Sequence, residues 1–147
     1  MERKQKTILL VESNLAEVDL ARMACASCAE PLQLIVVEDH TQALEWFAAR
    51  KSKKLPLPGL ILLDLKLPKL LGLAVLRHLR MDAAIRDLPV IVYSAFHEPA
   101  DVVLSYQVGA NSFVNKPADL ASFITLLDEL SAYWLQPRQR SFDLGRS

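Results

Sequence analysis

The sequence predicts a single α/β domain built on a doubly wound parallel sheet. Five short apolar runs alternate with helical patterns, and several of the runs are continuously apolar rather than alternating. Continuous apolar runs mark strands buried on both faces, and strand–helix alternation is the pattern of a parallel sheet with helices on either side. A right-handed crossover between successive parallel strands then limits the topology.

The first strand is read at Thr7–Val11 and the first helix at Leu15–Ala29, where Val18, Ala21, Cys25 and Cys28 share one face. The second strand is Gln33–Val37, followed by an amphipathic stretch at Thr41–Arg50. Arg50–Gly59, basic and then proline-rich, reads as a long connection to the third strand at Leu60–Leu63. A third helix at Leu71–Arg80, a strand at Val90–Tyr93, a helix at Ala100–Val108 and a strand at Ser112–Val114 follow. The last helix spans Asp119–Leu135, with a core stripe of Leu120, Phe123, Ile124, Leu127, Leu130 and Trp134. Residues 1–136 make the domain, and 137–147, opened by Pro137, make a tail expected to be mobile.

A chain of 147 residues suits one hydrophobic core. Its 17 acidic and 17 basic residues balance, which argues against nucleic acid or an anionic membrane as the main partner. No apolar run approaches a membrane-spanning length or a secretory core, so a cytoplasmic location is expected. The two cysteines lack a second ligand cluster at metal spacing and read as packed core residues.

In open α/β sheets the ligand site lies beyond the carboxyl ends of the strands. Here those ends carry Glu12-Ser13, Asp64, Ser94 and Asn115-Lys116-Pro117. Singly, each has a structural reading as a turn or cap residue. Together, two acids, a hydroxyl and an ammonium suit phosphoryl transfer to a carboxylate, with a divalent cation offsetting oxygen charge.

The blocks "TILLVESN", "LILLDLKLP", "VIVYSA" and "FVNKP", in this order and spacing, closely resemble the receiver domain of two-component response regulators. The resemblance implies a flavodoxin-like, five-stranded sheet of order 2-1-3-4-5 with five helices. It implies that Asp64 accepts a phosphoryl group from a histidine kinase, that Ser94 and Lys116 contact that group, and that Phe113 is a switch aromatic acting with Ser94. It also implies Mg²⁺ held by Asp64, Glu12 and the backbone carbonyl of Lys66, and a cis Lys116–Pro117 bond. Such a protein is a phosphoacceptor rather than an enzyme acting on outside substrates; Lys66 stands where an aspartyl-phosphate phosphatase would carry its general acid.

One departure stands out. The family pattern has a second metal-binding acid where this chain has Ser13, a weak ligand for a hard cation, so Mg²⁺ binding is expected to be weakened. The alternative is a pseudo-receiver, an interaction module that does not use phosphorylation. Retention of Asp64, Ser94 and Lys116 favours the phosphoacceptor.

The segment "LSYQVGANSFVNKPADLASFITLLDELSAYWLQP", with the long Arg50–Gly59 connection, is similar to single-domain regulators paired with bacterial phytochrome histidine kinases. That similarity implies a bacteriophytochrome as the partner kinase. Leu15, Val18 and Leu20 cannot all face the core, and the first helix is expected to form the kinase-docking face. Val103, Tyr106, Leu126, Tyr133 and Trp134 are candidates for a two-fold homodimer interface through the fourth helix, fifth strand and fifth helix. No output module follows the last helix in this sequence, so signalling by protein contact is expected.

Overall fold

The structure, a computed structural model, describes residues 3–66 and 72–136. Its elements run β1 (Arg3–Val11), α1 (Leu15–Ser27), β2 (Gln33–Val37), α2 (His40–Lys53), β3 (Leu57–Asp64), α3 (Gly72–Met81), β4 (Val90–Ser94), α4 (Pro99–Val108), β5 (Ser112–Asn115) and α5 (Leu120–Leu130). The strands form one parallel sheet in the order β2-β1-β3-β4-β5, as expected.

All eight residues of β3 are buried, which is why its sequence shows no polar alternation. Successive side chains point to opposite faces of the sheet. Leu9, Val11, Ile61, Leu63, Val90 and Val92 meet Phe47 of α2 and Leu76 and Leu79 of α3 on one face. Ile8, Leu10, Leu60, Leu62, Ile91 and Tyr93 meet α1 and α5 on the other. Full burial of a side chain such as Phe47 or Phe123 stabilises by about 1.5–3 kcal/mol relative to exposure.

Cys25 and Cys28 lie in the α1–α5 layer as free thiols. Burial pushes them up to about 12 and about 11, so both are inert packing residues. Asn14, Asp39 and Asp119 cap α1, α2 and α5 by accepting the amide hydrogens of Glu17, Gln42 and Ser122.

Three expectations are corrected. The connection before β3 is short: α2 continues to Lys53, Lys54 closes it in the left-handed conformation at φ 55°, and β3 begins at Leu57. Arg50, Lys51 and Lys53 sit in the last turn of α2, where cations favour the negative end of the helix. The last helix is regular only to Leu130 and ends in a π turn over Ser131–Leu135. The extra residue in that turn carries Leu135, rather than Trp134, into the core after Leu130. The Lys116–Pro117 bond is trans, since no cis peptide occurs among the described residues. Trans is the lower-energy form even before proline. The tail at 137–147 lies outside the described residues, as do Leu67–Leu71.

Candidate functional site: a carboxylate crevice at the strand ends

Parallel register brings the predicted residues together. Val11 pairs with Leu63, Asp64 with Tyr93 and Ser94 with Asn115, so the residues at or just beyond these strand ends share one level. They open into a crevice of about 250 Å³ lined by Glu12, Ser13, Glu17, Asp64, Lys66 and Lys116, among others.

Gly72, the first residue of α3, sets how closely that helix approaches Asp64. A Cβ there would lie 2.5 Å from the carbonyl oxygens of both Asp64 and Leu65. Only glycine leaves room for the helix against this backbone.

Asp64 Oδ1 accepts the Lys66 amide hydrogen at 2.9 Å, while Oδ2 lies 3.4 Å from Lys116 Nζ. Burial, then the neighbouring Glu12 charge, pushes Asp64 up to about 6 despite these two donors. Glu12 is 1% exposed and accepts three donors: Tyr93 Oη at 2.5 Å and Lys116 Nζ at 3.0 Å on Oε1, and the Asn14 amide at 3.1 Å on Oε2. Burial alone would raise Glu12, but Tyr93, Lys116 and Asn14 hold it below its ordinary value. The Tyr93 phenol is pushed upward by burial and by Glu12.

Lys116 has a third carboxylate partner, Glu17 of α1, at 2.5 Å. Burial pulls the ammonium down, yet Glu17, Glu12 and Asp64 together keep it above its ordinary value. Glu17 moves up, through burial and the Glu12 charge, although Lys116 opposes this. Three acids thus share one ammonium.

Lys116 stands 4.9 Å over the Tyr93 ring, adding a cation–π contact. The Ser94 hydroxyl is buried and donates to the Phe96 carbonyl at 2.8 Å. Lys66 Nζ lies 3.5 Å from Asp101 on α4. Phe113 is half-buried, edge-on to His97 with ring centroids 4.7 Å apart, and its amide donates to Tyr106 Oη at 3.1 Å.

Among the interface candidates, Val103, Tyr106 and Tyr133 are exposed. Leu126 and Trp134 are instead partly buried against the α1–α5 core layer. A larger groove of about 530 Å³ lies between α2, α3 and α4 and contains none of the predicted site residues.

Sequence reasoning missed Glu17 and Tyr93. Glu17 sits three residues after the α1 cap, where an acid reads as a helix-end charge. Tyr93 reads as a core strand residue, although a buried phenol must find an acceptor, which pointed to a nearby acid.

A buried Asp64 held up to about 6 is a carboxylate short of positive charge, and that fits a hard dication. Glu12 and Asp64 supply the carboxylate oxygens that line the crevice, with Lys66 beside them. Among the described residues no group of three or more His, Cys, Asp and Glu is placed to hold a metal. Mg²⁺ commonly takes one or two carboxylates and retains water, so a site of two acids suits it.

The doubly wound sheet places this crevice at its switch point, and no glycine follows β1 to cradle a nucleotide phosphate. The chain belongs to the response regulator receiver domain family, whose model matches residues 8–128. It is 30% identical over 132 residues to response regulator Rcp1 of Synechocystis, covering 89% of this chain and 90% of that protein. The phosphorylated cyanobacterial phytochrome response regulator RcpA superposes with a TM-score of 0.78 at 30% identity, over 91% of this chain and 96% of that one. The Mn²⁺-bound form of Rcp1 superposes at 0.74 and 29% identity, over 91% and 97%. The protein is therefore a response regulator similar to those of phytochromes, in a family of signalling domains that generally bind Mg²⁺ and are not enzymes. No helix among the described residues is long and apolar enough to cross a membrane.

Proposed function

We propose that Asp64 accepts a phosphoryl group from the phosphohistidine of a sensor kinase, and that the kinase is of the bacterial phytochrome type. The observation that carries this is the asymmetry of Asp64: Oδ1 is held by the Lys66 amide, while Oδ2 opens to the crevice beside Lys116. Oδ2 attacks phosphorus, the phosphorus–nitrogen bond breaks, and the imidazole leaves with its electron pair. Lys116 offsets charge on one phosphoryl oxygen, and Ser94, released from the Phe96 carbonyl, donates to another. Asp64, Glu12 and the Lys66 carbonyl are the residues to hold Mg²⁺, which when bound offsets charge on the transferring phosphoryl group.

Signalling follows from a population shift in which Ser94 turns toward the phosphoryl group and Phe113 turns inward to repack beneath α4 and β5. Leu15 and Phe96 are exposed near the crevice mouth and suit docking of a kinase helix. The domain spans residues 1–136, with 137–147 as a tail, and acts in the cytoplasm through protein contact, including a homodimer through α4, β5 and α5. The likeness to the phytochrome response regulator RcpA and to a response regulator in red light signalling of R. palustris supports the kinase type.

Intact-mass measurement with acetyl phosphate, with and without Mg²⁺, tests the reading. The expected result is a Mg²⁺-dependent phosphoryl adduct that is absent from Asp64→Asn. Rescue by Ser13→Asp of a natural protein that forms no adduct would instead establish a pseudo-receiver whose lesion is the metal site.

A further inference from the structure

We propose that Glu17 is a positioning residue that withholds Lys116 from the phosphoryl group; this rests on the phosphoacceptor reading of Asp64. An ammonium has three donors, and here three carboxylates engage it: Glu17 at 2.5 Å, Glu12 at 3.0 Å and Asp64 at 3.4 Å. The nearest partner belongs to α1, not to the phosphoacceptor. A phosphoryl group on Asp64 makes Oδ2 a bridging oxygen, ends that contact and carries its anionic oxygens farther into the crevice, so Lys116 must draw away from one of its other two partners to reach them.

Glu12 is not that partner. It is buried, and Tyr93 and Asn14 fix both of its oxygens independently of Lys116. Glu17 has the freedom to yield: its side chain is 31% exposed, against 1% for Glu12, and it stands in the first turn of a helix at the crevice mouth. Its contact with Lys116 opposes transfer, because that contact is strongest before the phosphoryl group arrives. Glu17 therefore restrains both the rate of phosphorylation and the hold of Lys116 on the product. Because it lies on α1, a protein seated on that helix and displacing Glu17 would free the ammonium.

The experiment follows adduct formation with acetyl phosphate and Mg²⁺ in four proteins: wild type, Glu17→Gln, Lys116→Met and the double variant. Glu17→Gln is expected to raise the phosphorylation rate about three- to tenfold, the scale of one ordinary hydrogen bond, since Gln keeps a neutral acceptor for Lys116. In the Lys116→Met background the same substitution is expected to change nothing. An equal gain in both backgrounds would overturn the proposal and reduce Glu17 to a general repulsive charge. No gain in either would overturn it as well.

The second readout needs no phosphorylation. The ¹⁵N resonance of the Lys116 ammonium, identified by its loss in Lys116→Met, is expected to shift in Glu17→Gln, and an unchanged resonance would overturn the contact. If no protein forms an adduct while the resonance does shift, the phosphoacceptor reading fails and the withholding role falls with it, although the Glu17–Lys116 contact stands.

Discussion

Tyr93 on β4 donates its hydroxyl to Glu12 at the end of β1, at 2.5 Å across the buried α1–α5 side of the sheet. The bond joins strands that are not neighbours, since β3 lies between them. With Lys116 and the Asn14 amide, it holds Glu12 below its ordinary value against the upward push of burial.

Tyr93→Phe removes this donor and leaves Lys116 as the sole side-chain donor to Glu12 Oε1. The expected loss is about 1–3 kcal/mol at neutral pH, as for a hydrogen bond to a charged group. Glu12 has a folded pKa below its unfolded value, so its contribution is present above about 4.5 and is lost as pH falls through the folded value. Urea unfolding from pH 7 down to pH 3 checks this: the difference between wild type and variant should shrink toward the acid end.

Asp64 carries the opposite sign. Its folded pKa, about 6, lies above its ordinary 3.8, so the folded state binds more protons between those values. Stability therefore falls as pH rises through that window and is flat above it. Asp64→Asn lacks this limb and is expected to be more stable than wild type by about 1–3 kcal/mol at pH 7.5, with little gain at pH 4. Parallel denaturant titrations at the two pH values decide it.

Phosphorylation should share the Asp64 titration. The nucleophile is the carboxylate, so adduct formation from acetyl phosphate is expected to slow as pH falls through about 6. A rate unchanged between pH 7.5 and pH 5 would remove Asp64 as the titrating nucleophile.

At Gly72 the prediction is steric. Alanine would place a Cβ 2.5 Å from two backbone carbonyls, so α3 or the end of β3 must shift. Gly72→Ala is expected to cost about 1–3 kcal/mol and to lower phosphorylation more than its stability loss alone explains. Thermal unfolding and the mass assay, run on the same sample, separate the two effects.

For self-association, Val103 and Tyr106 on α4 and Tyr133 at the end of the last helix are the exposed members of the proposed patch. Val103→Asp combined with Tyr106→Asp is expected to weaken dimerisation at least about tenfold, by leaving charge against the partner's apolar surface. Light scattering across a dilution series reads this directly.

The strands were legible because burial on both faces erases polar alternation, and β2 was read with its observed bounds. Asp64 was legible because a lone carboxylate closes an apolar run. Glu17 was not, because an acid in a first helical turn satisfies the helix end whether or not a lysine from a distant strand meets it. That Lys116 comes from 99 residues along the chain, and local pattern carries no such pairing. The π turn was also hidden: Trp134 and Leu135 are adjacent and both apolar, and one added residue in the turn decides which enters the core. The α2 boundary failed because a basic, proline-rich stretch reads as a loop, although lysines also suit a helix C-terminus.

The register of the sheet has a consequence for what can be cut away. Glu12, Asp64, Ser94 and Lys116 each sit at or one residue past the end of a different strand, and Glu17 is borne by a helix. No fragment shorter than residues 12–116 holds the whole set, and a one-residue slip in any of these strands carries its member about 3.3 Å along and onto the opposite face. The crevice therefore has no life independent of the whole sheet. Chemical competence at Asp64 is thus a gauge of whether β1, β3, β4 and β5 are folded together in register.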